Sequence, residues 1–146
     1  MHIYLGADHR GYELKKQIID LLENESIPYT DFGAYSYDAE DDYNDYARKV
    51  ANAIQSANEF PTFGILVCGS GQGVVMQANR FKGIRAAICH STADAIETRG
   101  HNDANILCIS ADQDSDKFAD IIHSFLSGTP IDNPRYLRRN KKLDED

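Results

Sequence analysis

From Phe63 to Cys68 the chain reads FGILVC, with no polar side chain and no alternation of wet and dry positions. A strand of that kind is apolar on both faces, so both faces need a cover. A parallel sheet with helices packed above and below provides it. Cys68 then runs directly into GSGQG, Gly69–Gly73, a glycine turn that opens the next helix. Strand, tight turn and helix form the repeating unit of α/β folds, and the rest of the chain repeats it.

A strand over Met1–Gly6 is followed by a helix from Tyr12 to about Glu25, with Leu14, Ile18, Leu21 and Leu22 on one stripe. PYTDFG is a short second strand, and AYSYDAEDDYND is a polar, acidic loop. A helix runs from Tyr46 to about Ala57, with Val50, Ala53 and Ile54 on one side, and another from Gly71 to Phe81. GIRAAIC is the fourth strand, Thr92 to about Arg99 a helix stopped near Gly100, and ANILCIS the fifth strand. Phe118, Ile121, Ile122, Phe125 and Leu126 stripe the next helix, SGTPIDNP is a turn-rich link, and RYLRRNKKL is a short basic helix. The alternation predicts a three-layer α/β/α sandwich with a five-stranded parallel, Rossmann-like sheet. Nothing of linker-like composition divides residues 1–146, so a single domain with a C-terminal basic helix at about 134–143 is expected. Right-handed crossovers put the strand-to-helix loops on one sheet edge, where such folds bind ligands.

A net charge of −8 argues against nucleic acid or an anionic membrane as partner, though a site for a small anion needs only local positive charge. No apolar run approaches the length of a spanning helix, and MHIYLGADHRG reads straight into a strand rather than a signal peptide. Cys68, Cys89 and Cys108 form no CxxC pair. Cytoplasmic residence is therefore the expectation. Asp41, Asp42 and Asp45 fit no metal-ligand spacing and read as a solvated acidic loop.

The GSGQGV run is not a dinucleotide fingerprint, because its third glycine would fall at Val74. It offers instead a cluster of backbone N–H donors able to meet one small negative charge. A thiolate at Cys68 beside those donors suits removal of a proton next to a carbonyl, with the donors holding the enolate oxygen. Ser70 adds a hydroxyl within plausible reach. Packing for the cysteine and turn geometry for the glycines is the plainer reading of the same residues. Cys89 and Cys108 lie inside apolar strands and read as packing. Asp8 and His9 follow the first strand at the same edge, whereas His101, Asn102 and Asp103 precede the fifth strand, at the opposite edge of one subunit. His2 and His123 read as ordinary residues, and His90 is open.

GADHRGYELK, DYNDYA, GILVCGSGQGVVMQANRFKGIRAAIC, TRGHNDANIL and RYLRR resemble, in order and spacing, the type-B ribose-5-phosphate isomerases, whose wider family includes galactose-6-phosphate isomerase subunits. The resemblance implies an enzyme without metal or cofactor that interconverts phosphorylated aldoses and ketoses. It also implies a homodimer or tetramer with active sites shared between subunits. On that resemblance Cys68 shuttles the proton between C1 and C2, and Ser70 assists at the substrate oxygens. The backbone of Gly69, Gly71, Gln72, Gly73 and Val74 stabilises the enediolate. Asp8 and His9 bind sugar hydroxyls or phosphate, Tyr43 lies near the sugar ring, and His101 opens the cyclic sugar with Asn102 as its binding neighbour. Arg135 and Arg139 grip the phosphate, and for Arg138 a solvated face is the alternative. Two positions depart from the family pattern. Asp112 stands where an arginine after the fifth strand helps hold the phosphate, and Asn44 replaces a proline beside Tyr43. A carboxylate at 112 repels a phosphate if it faces the site. Ribose 5-phosphate and ribulose 5-phosphate are the expected pair. A six-carbon sugar phosphate, or a sugar-phosphate-binding protein without turnover, is the alternative.

Overall fold

The structure is a computed structural model that describes residues 1–112 and 115–145. Its strands are β1 (His2–Ala7), β2 (Tyr29–Asp31), β3 (Thr62–Cys68), β4 (Ala86–Ile88) and β5 (Ile106–Ser110). The helices are α1 (Tyr12–Asn24), α2 (Tyr43–Gln55), α3 (Gln72–Ala78), α4 (Thr92–Asn102), α5 (Phe118–Ser127) and α6 (Pro134–Glu145), with one 3-10 turn at Ser115–Lys117. The strands form one sheet in the order β2-β1-β3-β5-β4, and every pairing is parallel. This is the five-stranded α/β sandwich expected from the alternation.

β3 is the middle strand and is buried along its whole length. Its side chains divide between two cores, as the two-residue period of a strand requires. Phe63, Ile65 and Val67 join Leu14, Ile18 and Leu22 of α1 and Ile121, Ile122 and Phe125 of α5. Leu66 and Cys68 turn to the other face, against Ala47, Val50 and Ala51 of α2 and Val74 and Ala78 of α3. Each large aliphatic side chain withdrawn from water in this way contributes about 1.5–3 kcal/mol. Cys68 therefore ends its strand on the α2–α3 side.

The crossover from β1 leads outward to β2, while that from β3 leads the other way to β4 and β5. The ends of β1 and β3 thus flank the switch point of the sheet, where a crevice opens between diverging loops. Their register brings Ala7 beside Val67, and Cys68 beside Ser110 of β5.

Several boundaries differ from the sequence expectation: β2, β4 and β5 are shorter than PYTDFG, GIRAAIC and ANILCIS, and three helix boundaries move. α2 begins at Tyr43, three residues before Tyr46, so Tyr43 lies on the helix and not in the acidic loop. α3 ends at Ala78, short of Phe81. α4 does not stop near Gly100 but continues to Asn102, capped by Asp103 in the left-handed region at φ 46°. Gly100 is tolerated in the helix because Ile131 packs on it: an added Cβ would lie 3.2 Å from Ile131 Cδ1, and Ile131 N–H donates to Gly100 O. Arg99, buried beneath the phenyl rings of Phe63 and Phe125, bonds Asp103 at 2.6 Å and fixes the cap.

α1 also carries a lysine that amphipathic reading assigns to the surface. Lys15 is 1% exposed. Its ammonium donates to both oxygens of Asp31 at 2.7 Å and to Ala34 O at 2.6 Å. Removing either ion would strand the other, at a cost of about 3–5 kcal/mol. The pair ties α1 to the chain after β2, where Gly33 and Ala34 bond Ala7 immediately before Asp8. Among the described residues no helix is long and apolar enough to cross a membrane.

Candidate active site

Cys68 is 5% exposed, and its Sγ accepts the N–H of Gly71 at 3.1 Å. β5 anchors the carbonyls of the turn it opens: Ala111 N–H donates to Cys68 O, Ser110 Oγ–H to Gly69 O at 2.7 Å, and Asp112 N–H to Gly69 O. Of the turn's own N–H groups, that of Gly71 meets the sulfur and that of Gln72 meets the Ser70 hydroxyl. Gly71 has φ +80°, and a Cβ there would lie 2.6 Å from Ile88 Cδ1. Both the turn and the packing exclude a side chain at this position. Ser70 is exposed, and its Oγ accepts Gln72 N–H at 3.3 Å. Val74 is fully buried in the core, so only its backbone is available to a ligand.

Two side chains close over the other glycines. The Tyr43 ring lies on Gly73, where a Cβ would come within 2.6 Å of Tyr43 Cζ. Asn44, in place of the proline, donates from Nδ2 to Gln77 Oε1 at 2.8 Å and so ties the start of α2 to α3. The guanidinium of Arg10 lies on Gly69, 2.6 Å from the position of such a Cβ. The three alternating glycines therefore answer to an aromatic ring, a backbone turn and a guanidinium.

The β1 loop supplies Asp8 and His9 to the same edge. Asp8 is buried and its Oδ1 accepts Gly11 N–H at 3.0 Å. Burial raises its pKa above the ordinary aspartate value, and the Gly11 bond offsets only part of that. His9 Nδ1 donates to Asp41 Oδ1 at 2.6 Å, and the His9 backbone N–H donates to the same oxygen. Tyr46 O–H donates to Asp41 Oδ2. Burial disfavours the Asp41 carboxylate, but these donors outweigh it and hold its pKa below the usual value. Burial and that carboxylate together push the Tyr46 phenol up to about 12. Asp41 is thus not a solvated member of the acidic loop, as the sequence suggested. It orients the His9 ring, with Nδ1 engaged and Nε2 left for a ligand.

His101, Asn102, Arg135 and Arg139 form a second group. His101 ends α4 at the edge where the strands begin, stacked on Tyr136 of α6 at 4.7 Å. Asn140 Nδ2 donates to its carbonyl. Arg135, Arg138 and Arg139 are exposed on α6, and Asn102 is exposed at the end of α4. One chain therefore brings together Cys68, Ser70, Asp8, His9, Tyr43 and the glycine turn, and separately His101 with the basic helix. A cavity of about 800 Å³ among Ile54, Phe60, Phe63 and Lys82 also lies where strands begin, and none of the Cys68 group lines it.

Cys89 and Cys108 are fully buried. Burial pushes the Cys89 thiol up to about 12 and the Cys108 thiol well above its ordinary value. Neither presents a thiolate to a ligand. Sequence reasoning missed Asp41, Arg10 and Ser110. The first two are separated from their partners by 32 and 102 residues, and only their shared sheet edge could have signalled them.

The family profile described as Ribose/Galactose Isomerase matches residues 3–143. Ribose-5-phosphate isomerase B of Mycolicibacterium paratuberculosis is 37% identical over 140 residues, covering 95% of this chain and 87% of that one. The crystal structure of a ribose 5-phosphate isomerase from Thermotoga maritima superposes with a TM-score of 0.92 at 40% identity, covering 99% of this chain and 98% of that one. The ribose-5-phosphate isomerase B of Mycoplasma genitalium, solved with bound ribulose 5-phosphate, superposes with a TM-score of 0.91 at 36% identity, over 98% of this chain and 93% of that one.

Proposed function

The chain belongs to the ribose/galactose isomerase family, and from that premise we propose that it is an aldose–ketose isomerase interconverting ribose 5-phosphate and ribulose 5-phosphate. The observation that carries the reading is the sulfur of Cys68 set against the Gly71 N–H at the head of a glycine turn. In the forward direction Cys68 takes the proton from C2 of the open aldose. Negative charge then develops on the carbonyl oxygen at C1, and the amides between Gly69 and Val74 hold it as the enediolate forms. The hydroxyl proton passes from O2 to O1 by way of Ser70, while the carbon-bound proton, or one from solvent, returns to C1, leaving the carbonyl at C2 of the ketose. Ser70 hydrogen-bonds the reacting oxygens. Asp8 and His9, the latter held by Asp41, bind sugar hydroxyls or phosphate, and Tyr43 lies along the sugar.

A free sugar phosphate is mostly cyclic, so a further acid–base group must open the ring. We assign this to His101, with Asn102 beside it, and phosphate binding to Arg135 and Arg139 through their paired N–H donors. These residues stand apart from Cys68 in one chain, so the assignment requires two copies, each completing the other's site. The whole of residues 1–146 acts as one catalytic domain without cofactor, in the cytoplasm. Turnover of the purified protein on a panel of pentose and hexose phosphates tests the reading. Rapid conversion of ribose 5-phosphate is expected. Conversion of galactose 6-phosphate alone, or binding without turnover, would overturn it.

A further inference from the structure

We infer that Arg10 is a substrate-binding residue, supplying from the β1 loop a guanidinium that takes the anionic end of the sugar phosphate, with Asp112 as the counter-charge it leaves. The assignment rests on the sugar-phosphate reading of the site. Four loops follow the ends of β1 to β4 at the crevice, and Arg10 is the one arginine or lysine among GADHRGY, YSYDAEDDYN, CGSGQG and CHSTAD. The second of these is heavily acidic, so a dianion entering here needs a local cation. Arg10 is placed to be that cation. Its guanidinium packs on Gly69, the residue between Cys68 and Ser70 in the chain, so close that an added Cβ would lie 2.6 Å from Cζ. Only Nη2 is engaged among the described residues, donating to Asp112 Oδ1 at 2.7 Å and Oδ2 at 2.8 Å. The Nε and Nη1 donors are free to reach separate phosphate oxygens, and each forms a paired fork with Nη2 once a phosphate displaces Asp112 from it.

Asp112 is itself held against the turn, its N–H donating to Gly69 O and Ser110 Oγ. Both side chains are more than half exposed, 55% and 57%. An ion pair so exposed is weak and yields readily to a doubly charged ligand making charge-assisted bonds. The expectation that a carboxylate at 112 repels phosphate is therefore changed. The acid is neutralised by an arginine arriving from the neighbouring loop, and a positive group stands at the mouth after all. In this state Asp112 both orients Arg10 and competes with the ligand for it.

Steady-state kinetics on ribose 5-phosphate with Arg10→Ala, Arg10→Lys and Asp112→Asn test this. Arg10→Ala is expected to raise KM about tenfold with kcat nearly unchanged, because uniform binding is lost. Arg10→Lys should recover part of the loss, since the charge remains but not the planar fork. Asp112→Asn should lower KM, because the carboxylate that competes with the ligand for Arg10 is removed while a neutral acceptor that orients the guanidinium is kept. An unchanged KM in Arg10→Ala, or an equal rise in KM in Arg10→Ala and Asp112→Asn, would reduce the pair to a structural clip and overturn the assignment. Should the wild type fail to turn over ribose 5-phosphate, the isomerase reading falls by itself. Calorimetric titration of ribose 5-phosphate into wild type and Arg10→Ala then decides on Arg10, equal affinities overturning it.

Discussion

Asp8 shows the cost of building a polar site at the end of a buried strand. The residue is 6% exposed, and its backbone donors at Gly11 and Arg10 do not offset burial, so its pKa is raised and the ionised form is held at a disadvantage. A carboxyl whose pKa rises on folding costs nothing when protonated in both states. The cost appears as pH climbs through its unfolded value of 3.8, and is complete above the folded value. Asp8→Asn keeps an acceptor for Gly11 and removes the charge. Its melting temperature should match the wild type near pH 3 and exceed it near pH 7, while kcat/KM for the sugar phosphate falls. A melting temperature below wild type at neutral pH would mean that the charged carboxylate stabilises the fold. Asp41 is the opposite case: three hydrogen bonds lower its pKa, so its contribution is present at neutral pH and lost as pH falls through the folded value. These opposite environments were not legible in DHRG or in AEDDYN. They depend on donors brought in from distant parts of the chain.

At the scale of elements, the turn from β3 to α3 carries the strongest constraint. A Cβ at Gly71 meets the φ of +80° and Ile88 Cδ1 at 2.6 Å, and the same residue supplies the N–H to Cys68 Sγ. Gly83 provides the control, because it has φ +75° with nothing within 4 Å of an added Cβ. Gly83→Ala should cost roughly 1–3 kcal/mol of stability from the backbone alone and leave activity intact. Gly71→Ala should cost more and lower kcat sharply, because the amide facing the sulfur moves. Thermal melts and initial rates read both; equal rates in the two variants would free the Gly71 amide of any role at the sulfur. The existence, order and type of these elements were legible in the sequence because apolar runs and stripes follow two clean periods. The ends were less so. α4 runs past Gly100 because Ile131, from a link thirty-odd residues on, packs against that glycine and bonds its carbonyl. Lys15 is buried at a helix position that local pattern gives to solvent, because its partners Asp31 and Ala34 lie beyond the helix.

At the scale of the whole molecule, the candidate residues fall into two groups at opposite edges of one sheet. The sequence already implied that separation, since HND precedes the fifth strand and CGSG follows the third. Two inactive variants can report whether two copies join them. On the proposed two-copy site, Cys68→Ala and His101→Ala each destroy every site in their own homodimers. In a mixed dimer, one site pairs the intact Cys68 of one copy with the intact His101 of the other. Equal mixing with full subunit exchange should restore about a quarter of wild-type activity, because half the dimers are mixed and each has one good site. No recovery after verified exchange would place both groups' work within one chain.

The central claim is that the sulfur of Cys68 moves the proton, and exchange in heavy water tests it most directly. Ribose 5-phosphate is incubated with wild type or Cys68→Ala, and deuterium at C1 and C2 is followed by NMR beside a measurement of ligand binding. Wild type should exchange and isomerise, whereas Cys68→Ala should bind the sugar phosphate with similar affinity and lose exchange by about 10²–10⁴-fold, the range for a missing acid–base group. Exchange at the wild-type rate in Cys68→Ala would contradict the account.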